Sequence, residues 1–448
     1  MNSDQERKLI SVCMIVRNEE AMLPACLESV RSVATEIIVV DTGSTDSTRR
    51  IAESYGAVVI DSPWQNNFAQ ARNVALNHAT CPWIVSIDAD ERITNPHVLR
   101  AVVEHASESV HGYLVDVSSV STNPNSTTRF VSQLLRVFRN DPRIRFYGVI
   151  HEQVLECLAQ NGLRFESSGV IFDHLGYDLS PDAMRAKHER NISLLNEAWK
   201  EHPDDAYVIH QRARTHLALG NLEEAERDTQ IALLLAKEGG VVRPQTLNYG
   251  ALIAFRQGNY LLAIERASES LRLVPLQSYP AYILGESYSE LGNHAEAFRA
   301  YSDVVSAQQI NDLQARIVGS LTLPEADIAY ACGRSLIGMG QHKEAKNLFE
   351  IGFASNPRST SCLIGLANCA YHDRDLSAAL GYLQSAKEIE PGRTEIHRFI
   401  EQVRNAQTEE YLRSITGIDA DKHEHEPSAE VLPKYYSPSI QRPRTSLQ

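Results

Sequence analysis

An apolar run near the start of the chain ends abruptly in two aspartates one residue apart: Trp83-Ile84-Val85-Ser86-Ile87-Asp88-Ala89-Asp90. A buried strand that delivers carboxylates at its C-terminal end is suited to hold a divalent cation and the phosphates that cation carries. Two other segments precede it, Ile37-Ile38-Val39-Val40-Asp41-Thr42-Gly43-Ser44-Thr45-Asp46 and Phe68-Ala69-Gln70-Ala71-Arg72-Asn73. Asp41 offers acceptors for a base N–H or a ribose hydroxyl. Arg72 offers a guanidinium for a diphosphate, and a metal on Asp90 the remaining positive charge. Mn²⁺ or Mg²⁺ suits such hard oxygen ligands. Each residue also has a plainer reading. Asp88 and Asp90 fit a turn, Asp41 can accept the N–H groups of its own Thr-Gly-Ser turn, and Arg72 can be a surface arginine of a helix. Asp46 fits the first turn of a helix, where Glu19 and Glu20 of the segment Val16-Arg17-Asn18-Glu19-Glu20 are also at home. Trp64 fits loop packing better than stacking on a sugar.

The elements that must position these groups follow from hydrophobic periodicity. Strands are expected over 9–16, 36–40, 57–60 and 83–87, and helices over 21–33, from Ser44 or Thr45 to Tyr55, and over 68–79. Asn95-Pro96 reads as an N-cap and the first residue of a further helix. Strands alternating with helices imply a parallel sheet covered on both faces, with ligands at the C-terminal strand ends. From 112 to 173 the pattern turns to strands and loops, with candidates at 112–118, 130–138, 149–155 and 164–172, read as a β-rich lobe closing over the site.

Beyond residue 180 the chain is helical and repetitive. A glycine is followed five residues later by an alanine at Gly220/Ala225, Gly258/Ala263, Gly292/Ala297 and Gly340/Ala345, with Arg374/Ala379 as a degenerate copy. The steps are 38, 34, 48 and 34 residues. Pro275, Pro357 and Pro391 close units, and Gly285 and Gly333 with Phe349 fill other positions. The spacing resembles the tetratricopeptide repeat, whose paired helices stack into a solenoid with a concave groove.

The composition is that of a globular protein, 43% hydrophobic and 22% charged. The net charge of -14 falls half before residue 180 and half after it, which disfavours a nucleic-acid partner. No stretch approaches the ~20 apolar residues of a membrane helix, and the polar start is unlike a signal peptide. Seven scattered cysteines without a C-x-x-C pair argue against zinc and disulfides and for a cytoplasmic location.

Residues 9–178 resemble the family 2 glycosyltransferases of the GT-A fold. The resemblance rests on Met14-Ile15-Val16-Arg17-Asn18-Glu19-Glu20, Val40-Asp41-Thr42-Gly43-Ser44-Thr45-Asp46, Ala71-Arg72-Asn73 and Asp88-Ala89-Asp90-Glu91, in order and spacing. It implies an α/β GT-A domain, Rossmann-like, with a mixed sheet and helices on both faces, ahead of the all-α repeat solenoid. It also implies a nucleotide-sugar donor, expected to be a UDP-sugar, held by Arg17, Glu19, Asp41, Arg72 and Asp88. Asp90 becomes the metal ligand, with His174 of Asp173-His174-Leu175-Gly176-Tyr177 as a further ligand or diphosphate contact. Inversion at the sugar requires a base. In Phe146-Tyr147-Gly148-Val149-Ile150-His151-Glu152 the candidate is Glu152, with His151 second or a substrate contact. Where many members read Asp-Asp-Gly-Ser this chain has Asp41-Thr42-Gly43-Ser44, and where many have Glu-Asp it has His151-Glu152. The subfamily that joins this domain to tetratricopeptide repeats, which includes bacterial peptide S-glycosyltransferases, is the most similar. The expected division is 1–179 transferase, 180–202 connecting helix, 203–406 repeats in about five units, and 407–448 a mostly disordered tail containing His423 and His425. The repeats favour a protein or peptide acceptor or partner. The rival readings are a polysaccharide or lipid-linked acceptor, and a scaffold with a vestigial transferase domain.

Overall fold

The structure is a computed structural model and describes residues 9–119, 130–175, 181–310, 312–319 and 322–416. The described residues fall into two compact units. One contains the chain up to Tyr249 together with Arg316–Val318, and the other contains Gly250–Ala315 and the chain from Gly319 onward. The first unit thus takes in the helices up to Tyr249 along with the sheet.

In chain order the first unit begins β1 (Ile10–Val16), α1 (Leu23–Val30), β2 (Glu36–Asp41), α2 (Thr48–Ser54), β3 (Val58–Asp61), α3 (Phe68–His78) and β4 (Trp83–Ser86). It continues with β5 (Glu91–Ile93), α4 (Pro96–Glu104), β6 (Val110–Ser119), β7 (Phe130–Arg139), α5 (Leu155–Gln160) and β8 (Arg164–His174). The strands form one sheet in the order β3-β2-β1-β4-β7-β6-β8-β5. β1 to β4 are mutually parallel, β7 is antiparallel to both β4 and β6, β8 runs parallel to β6, and β5 antiparallel to β8.

β1 and β2 are buried almost throughout because both faces are covered. Val12, Met14 and Val16 share a core with Leu23, Cys26, Leu27 and Val30 of α1, while α3 packs on β1 and β2 from the other side. Ala69, Ala71 and Ala75 are the small buried residues that let α3 approach, and its start is capped by Asn67, whose Oδ1 accepts from Gln70 N at 2.9 Å.

Three expectations need correction. The segment 112–173 is not a separate lobe: β6, β7 and β8 extend the same sheet, because β7 pairs directly with β4. No strand forms over 149–155. The chain there makes a single bridge, Tyr147 to Gln153, and then α5, because Gly148 (φ +98°) and His151 (φ +54°) break the extended conformation. The helix expected from Ser44 or Thr45 begins at Thr48, since those residues are engaged elsewhere: Ser44 Oγ accepts from Asn18 N at 3.0 Å and Thr45 N donates to Asn18 Oδ1 at 2.8 Å.

The helices that follow are α6 (Pro181–Glu201), α7 (Ala206–Leu219) and α8 (Leu222–Leu235), then α9 (Val242–Arg256), which spans the division between units. The second unit contains α10 (Tyr260–Leu273), α11 (Ser278–Glu290), α12 (His294–Ile310), α13 (Leu313–Gly319), α14 (Glu325–Gly338), α15 (His342–Ser355), α16 (Thr360–His372), α17 (Leu376–Ile389) and α18 (Thr394–Thr416). The sequence period has a backbone cause. Gly220, Gly258, Gly292 and Gly340 all have φ between +73° and +82°, the left-handed turn between paired helices, and Arg374 keeps it at φ +62°. The paired alanines Ala225, Ala263, Ala297, Ala345 and Ala379 are fully buried. The longer step of 48 residues accommodates α13. A Cβ at Gly333 would lie 2.4 Å from the Phe349 ring, so that close approach needs glycine. α18 continues ten residues past the expected start of the tail, through good helix formers up to Thr416. The rest of that tail, with His423 and His425, lies outside the described residues, as do Gly176 and Tyr177.

Candidate functional site

The parallel strands end on one edge, and the segments that follow them are tied together there. Asn18, in the left-handed region at φ +56°, bridges to Ser44 and Thr45. Glu19 N donates to Thr48 Oγ1 at 2.7 Å, Glu20 N to Asp46 Oδ2 at 3.2 Å, and Ser47 N to Glu20 Oε2 at 3.0 Å. The loop after β1 and the loop after β2 thus hold each other in one shape. Asp41 Oδ1 accepts from Gly43 N (3.1 Å) and Ser44 N (2.8 Å), so one of its oxygens serves its own turn.

Arg72 is buried on α3 and reaches three groups. It donates to Asp88 Oδ1 at 2.6 Å, Glu152 Oε1 at 2.5 Å and Ser86 Oγ at 3.2 Å. It is not a surface arginine, and its charge is already met by two carboxylates. The next residue, Asn73, clamps the loop that carries His151 and Glu152: its amide donates to Phe146 O at 3.0 Å and its Oδ1 accepts from Phe146 N at 2.9 Å. From the other side Tyr207 of α7 donates its hydroxyl to His151 O at 2.5 Å, and the Tyr147 hydroxyl donates to Asp205. Gly148 is required here twice over, by its φ of +98° and because a Cβ would stand 3.0 Å from the Tyr207 ring.

Arg136 on β7 completes the floor, donating to Asp88 Oδ2 at 2.9 Å and Glu91 Oε1 at 3.1 Å. Burial works to raise the Asp88 pKa, but Arg72 and Arg136 outweigh it and hold the carboxyl below the usual range. Among the described residues no arginine pairs with Asp90. Its Oδ2 lies 3.0 Å from His174 Nε2, and this contact raises the His174 pKa against the opposing effect of burial. Glu19 is pushed up to about 7 by burial and by the Asp90, Asp88 and Asp46 carboxylates.

These groups face a cavity of about 510 Å³, a size that accommodates a nucleotide-sugar. Of the residues singled out from sequence, Arg17, Glu19, Trp64, Arg72, Asp88, Asp90, His151 and Glu152 line it. Asp41 and His174 do not, and each acts through a neighbour, Asp41 through the turn that presents Thr42 and His174 through Asp90. Burial, then Arg214 and Lys187, hold the His151 imidazole well below its usual pKa, so it is neutral.

Sequence reasoning missed Arg136, Lys187 and Arg214. Lys187 lies on α6, read as a connector, and Arg214 on α7, read as a repeat helix, yet both line the cavity. The available sign was His210-Gln211-Arg212-Ala213-Arg214-Thr215, a polar stretch on a repeat helix that the structure buries. Among the described residues no group of three or more His, Cys, Asp or Glu side chains is assembled to hold a metal. Asp90 and His174 are adjacent groups of metal-binding chemistry, and a cation held there would need its remaining ligands from a substrate and water. The seven cysteines are free. No helix among the described residues is long and apolar enough to cross a membrane.

Comparison with known proteins agrees with this arrangement. Residues 11–159 match glycosyl transferase family 2, and residues 250–311 and 330–394 match the tetratricopeptide repeat. A tetratricopeptide-repeat-containing protein of Synechococcus elongatus is 32% identical over 66% of this chain and 75% of its own length. The glycosyltransferase SunS of Bacillus subtilis is 29% identical over 44% of this chain and 46% of its own length. An uncharacterized glycosyltransferase of Rickettsia bellii is 35% identical over 43% and 58% respectively. With the strand-end motifs, the repeat period and these relatives in agreement, the chain belongs to the family 2 glycosyltransferases and joins that domain to tetratricopeptide repeats.

Proposed function

We propose that the chain is a metal-dependent, inverting glycosyltransferase that uses a nucleotide-sugar, preferentially a UDP-sugar, and acts on a protein or peptide acceptor engaged through its repeats. The observation that carries this reading is the division of labour between Asp88 and Asp90. Asp88 has both oxygens engaged by arginines, while Asp90, two residues later, is left to the cavity and to His174. A carboxylate oxygen has two lone pairs, so Asp88 can still accept a ribose hydroxyl while Arg72 and Arg136 fix it. Asp90 and His174 would hold Mn²⁺ or Mg²⁺, which supplies charge neutralisation for the departing diphosphate.

The remaining steps belong to the chain's own residues. Arg17, Glu19 and the Asp41 turn hold the nucleoside. Lys187, on the same cavity and within electrostatic reach of Asp90 and Asp88, adds positive charge where the leaving group gains negative charge. Glu152 takes the acceptor's proton as the acceptor attacks the anomeric carbon. Its Oε1 is fixed by Arg72, so the carboxylate is oriented before substrate arrives. His151, held in a left-handed conformation between Asn73 and Tyr207 on either side of its loop, contacts the substrate beside it. Asp88, Asp90 and Glu152 keep carboxylates on the cavity, which argues against a vestigial domain.

The test is a donor panel. Purified full-length chain is incubated with Mn²⁺ or Mg²⁺ and UDP-, GDP- and TDP-sugars, and hydrolysis is followed by mass spectrometry. Turnover of one or a few UDP-sugars that chelator abolishes is the expected result. No hydrolysis or binding of any nucleotide-sugar would overturn the reading.

A further inference from the structure

Helix α7 carries two buried arginines two residues apart, and their surroundings differ. Arg212 is matched: Nε donates to Asp228 Oδ2 at 2.7 Å and NH2 to Asp228 Oδ1 at 2.6 Å, with the guanidinium 3.9 Å from the Trp199 ring. Arg214 is just as buried, 8% exposed, and lines the cavity. Its NH1 donates to Gln211 Oε1 at 3.2 Å and its guanidinium stands 5.4 Å from the Tyr249 ring. Among the described residues no carboxylate lies within 4.0 Å of it.

A desolvated cation without a counter-charge is costly, and a guanidinium regains most when it meets a planar or tetrahedral oxyanion through two N–H groups. The neighbours do not supply that anion. His151, His188 and His210 are all held neutral, first by burial and then by Arg214 and other cations, with His210 lowered to about 3. Arg214 shares α7 with Tyr207, whose hydroxyl donates to His151 O, so it stands on the wall beside the loop that carries Glu152, whereas Asp88 and Asp90 follow β4.

We propose that Arg214 anchors an anion subsite, separate from the Asp88–Asp90 side of the cavity, that takes a carboxylate or phosphate group carried by the acceptor or by the transferred sugar. The anion site stands on the burial of Arg214 and its place on the cavity, and only its assignment to acceptor or sugar rests on the transferase reading.

The test titrates inorganic phosphate onto the full-length chain, with and without saturating UDP and Mn²⁺, and repeats it with Arg214→Gln and Arg214→Lys. The expected result is phosphate binding that UDP does not displace and that Arg214→Gln weakens by about tenfold or more. Arg214→Lys should retain part of it. An unchanged melting temperature in Arg214→Gln separates loss of the site from loss of the fold. A second arm compares UDP-glucuronate with UDP-glucose. A wild-type preference for the acidic sugar that disappears in Arg214→Gln assigns the anion to the transferred sugar, and equal affinities assign it to the acceptor. Phosphate binding that UDP displaces, or that is equal in wild type and Arg214→Gln, overturns the proposal. A wild-type chain that ignores UDP would sink the transferase reading, while the phosphate titration would still decide the subsite.

Discussion

The floor of the cavity and its α7 wall treat buried charge in opposite ways. On the floor, Arg72 and Arg136 are surrounded by Asp88, Glu152 and Glu91, and every cation is matched by protein. On the wall, Arg214 is buried to the same extent as Arg72, 8% against 6% exposed, and has no carboxylate partner among the described residues. A matched cluster holds a shape, because removing one member strands the others. An unmatched charge facing a cavity contributes little to the fold and waits for a ligand. The same contrast separates Asp88, gripped by two arginines, from Asp90 beside it.

The largest effect should come from breaking a matched cluster. Arg72→Ala strands Asp88 and Glu152 in a buried setting and should cost about 3–5 kcal/mol of stability, read by denaturant unfolding. Arg212→Ala, which strands Asp228, should cost a similar amount. A loss under about 1 kcal/mol in either would mean that these pairs are not what holds the unit together.

A smaller effect is expected from acid. The folded pKa of Asp88 lies below its unfolded value, so the stability it contributes is present at neutral pH and is lost as pH falls through and below the usual carboxylate range. The melting temperature should begin to fall below about pH 5 and keep falling as the pH drops further, less steeply in Arg72→Ala, which has lost one of the two guanidiniums. Identical acid profiles for the two chains would contradict the role given to Arg72.

The smallest effect sharpens the contrast within α7. Arg214→Gln should change stability by less than about 1 kcal/mol, where Arg212→Ala costs several. Equal losses at the two positions would make Arg214 structural after all.

How much of this could be read in the sequence follows from where the determinants lie. The parallel strands, their C-terminal ends and the grouping of Arg17, Glu19, Asp88 and Asp90 were legible because apolar runs mark buried strands and polar residues mark their ends. The repeats were legible because the left-handed turns at Gly220, Gly258, Gly292 and Gly340 demand a residue type at a fixed interval. Arg136 was not legible. It sits between Leu135 and Val137 on a strand, 48 residues from Asp88, and no local spacing connects the two. Arg214 and Lys187 were hidden differently, since a helix assigned to a connector or a repeat gives no reason to expect its polar residues in a cavity. The Asn73 clamp was contained in a motif already quoted, but its partner Phe146 lies 73 residues away, so only the folded chain gives it a role.

The central claim is that Asp90, in contact with His174 where Asp88 is gripped by two arginines, holds the cation that binds the donor's diphosphate. Calorimetric titration of UDP onto the full-length chain in Mn²⁺ tests it directly, comparing wild type with Asp90→Ala. The account predicts Mn²⁺-dependent UDP binding that Asp90→Ala weakens by about a hundredfold with the fold intact. UDP binding of equal strength in the two chains, or indifferent to Mn²⁺, would contradict it.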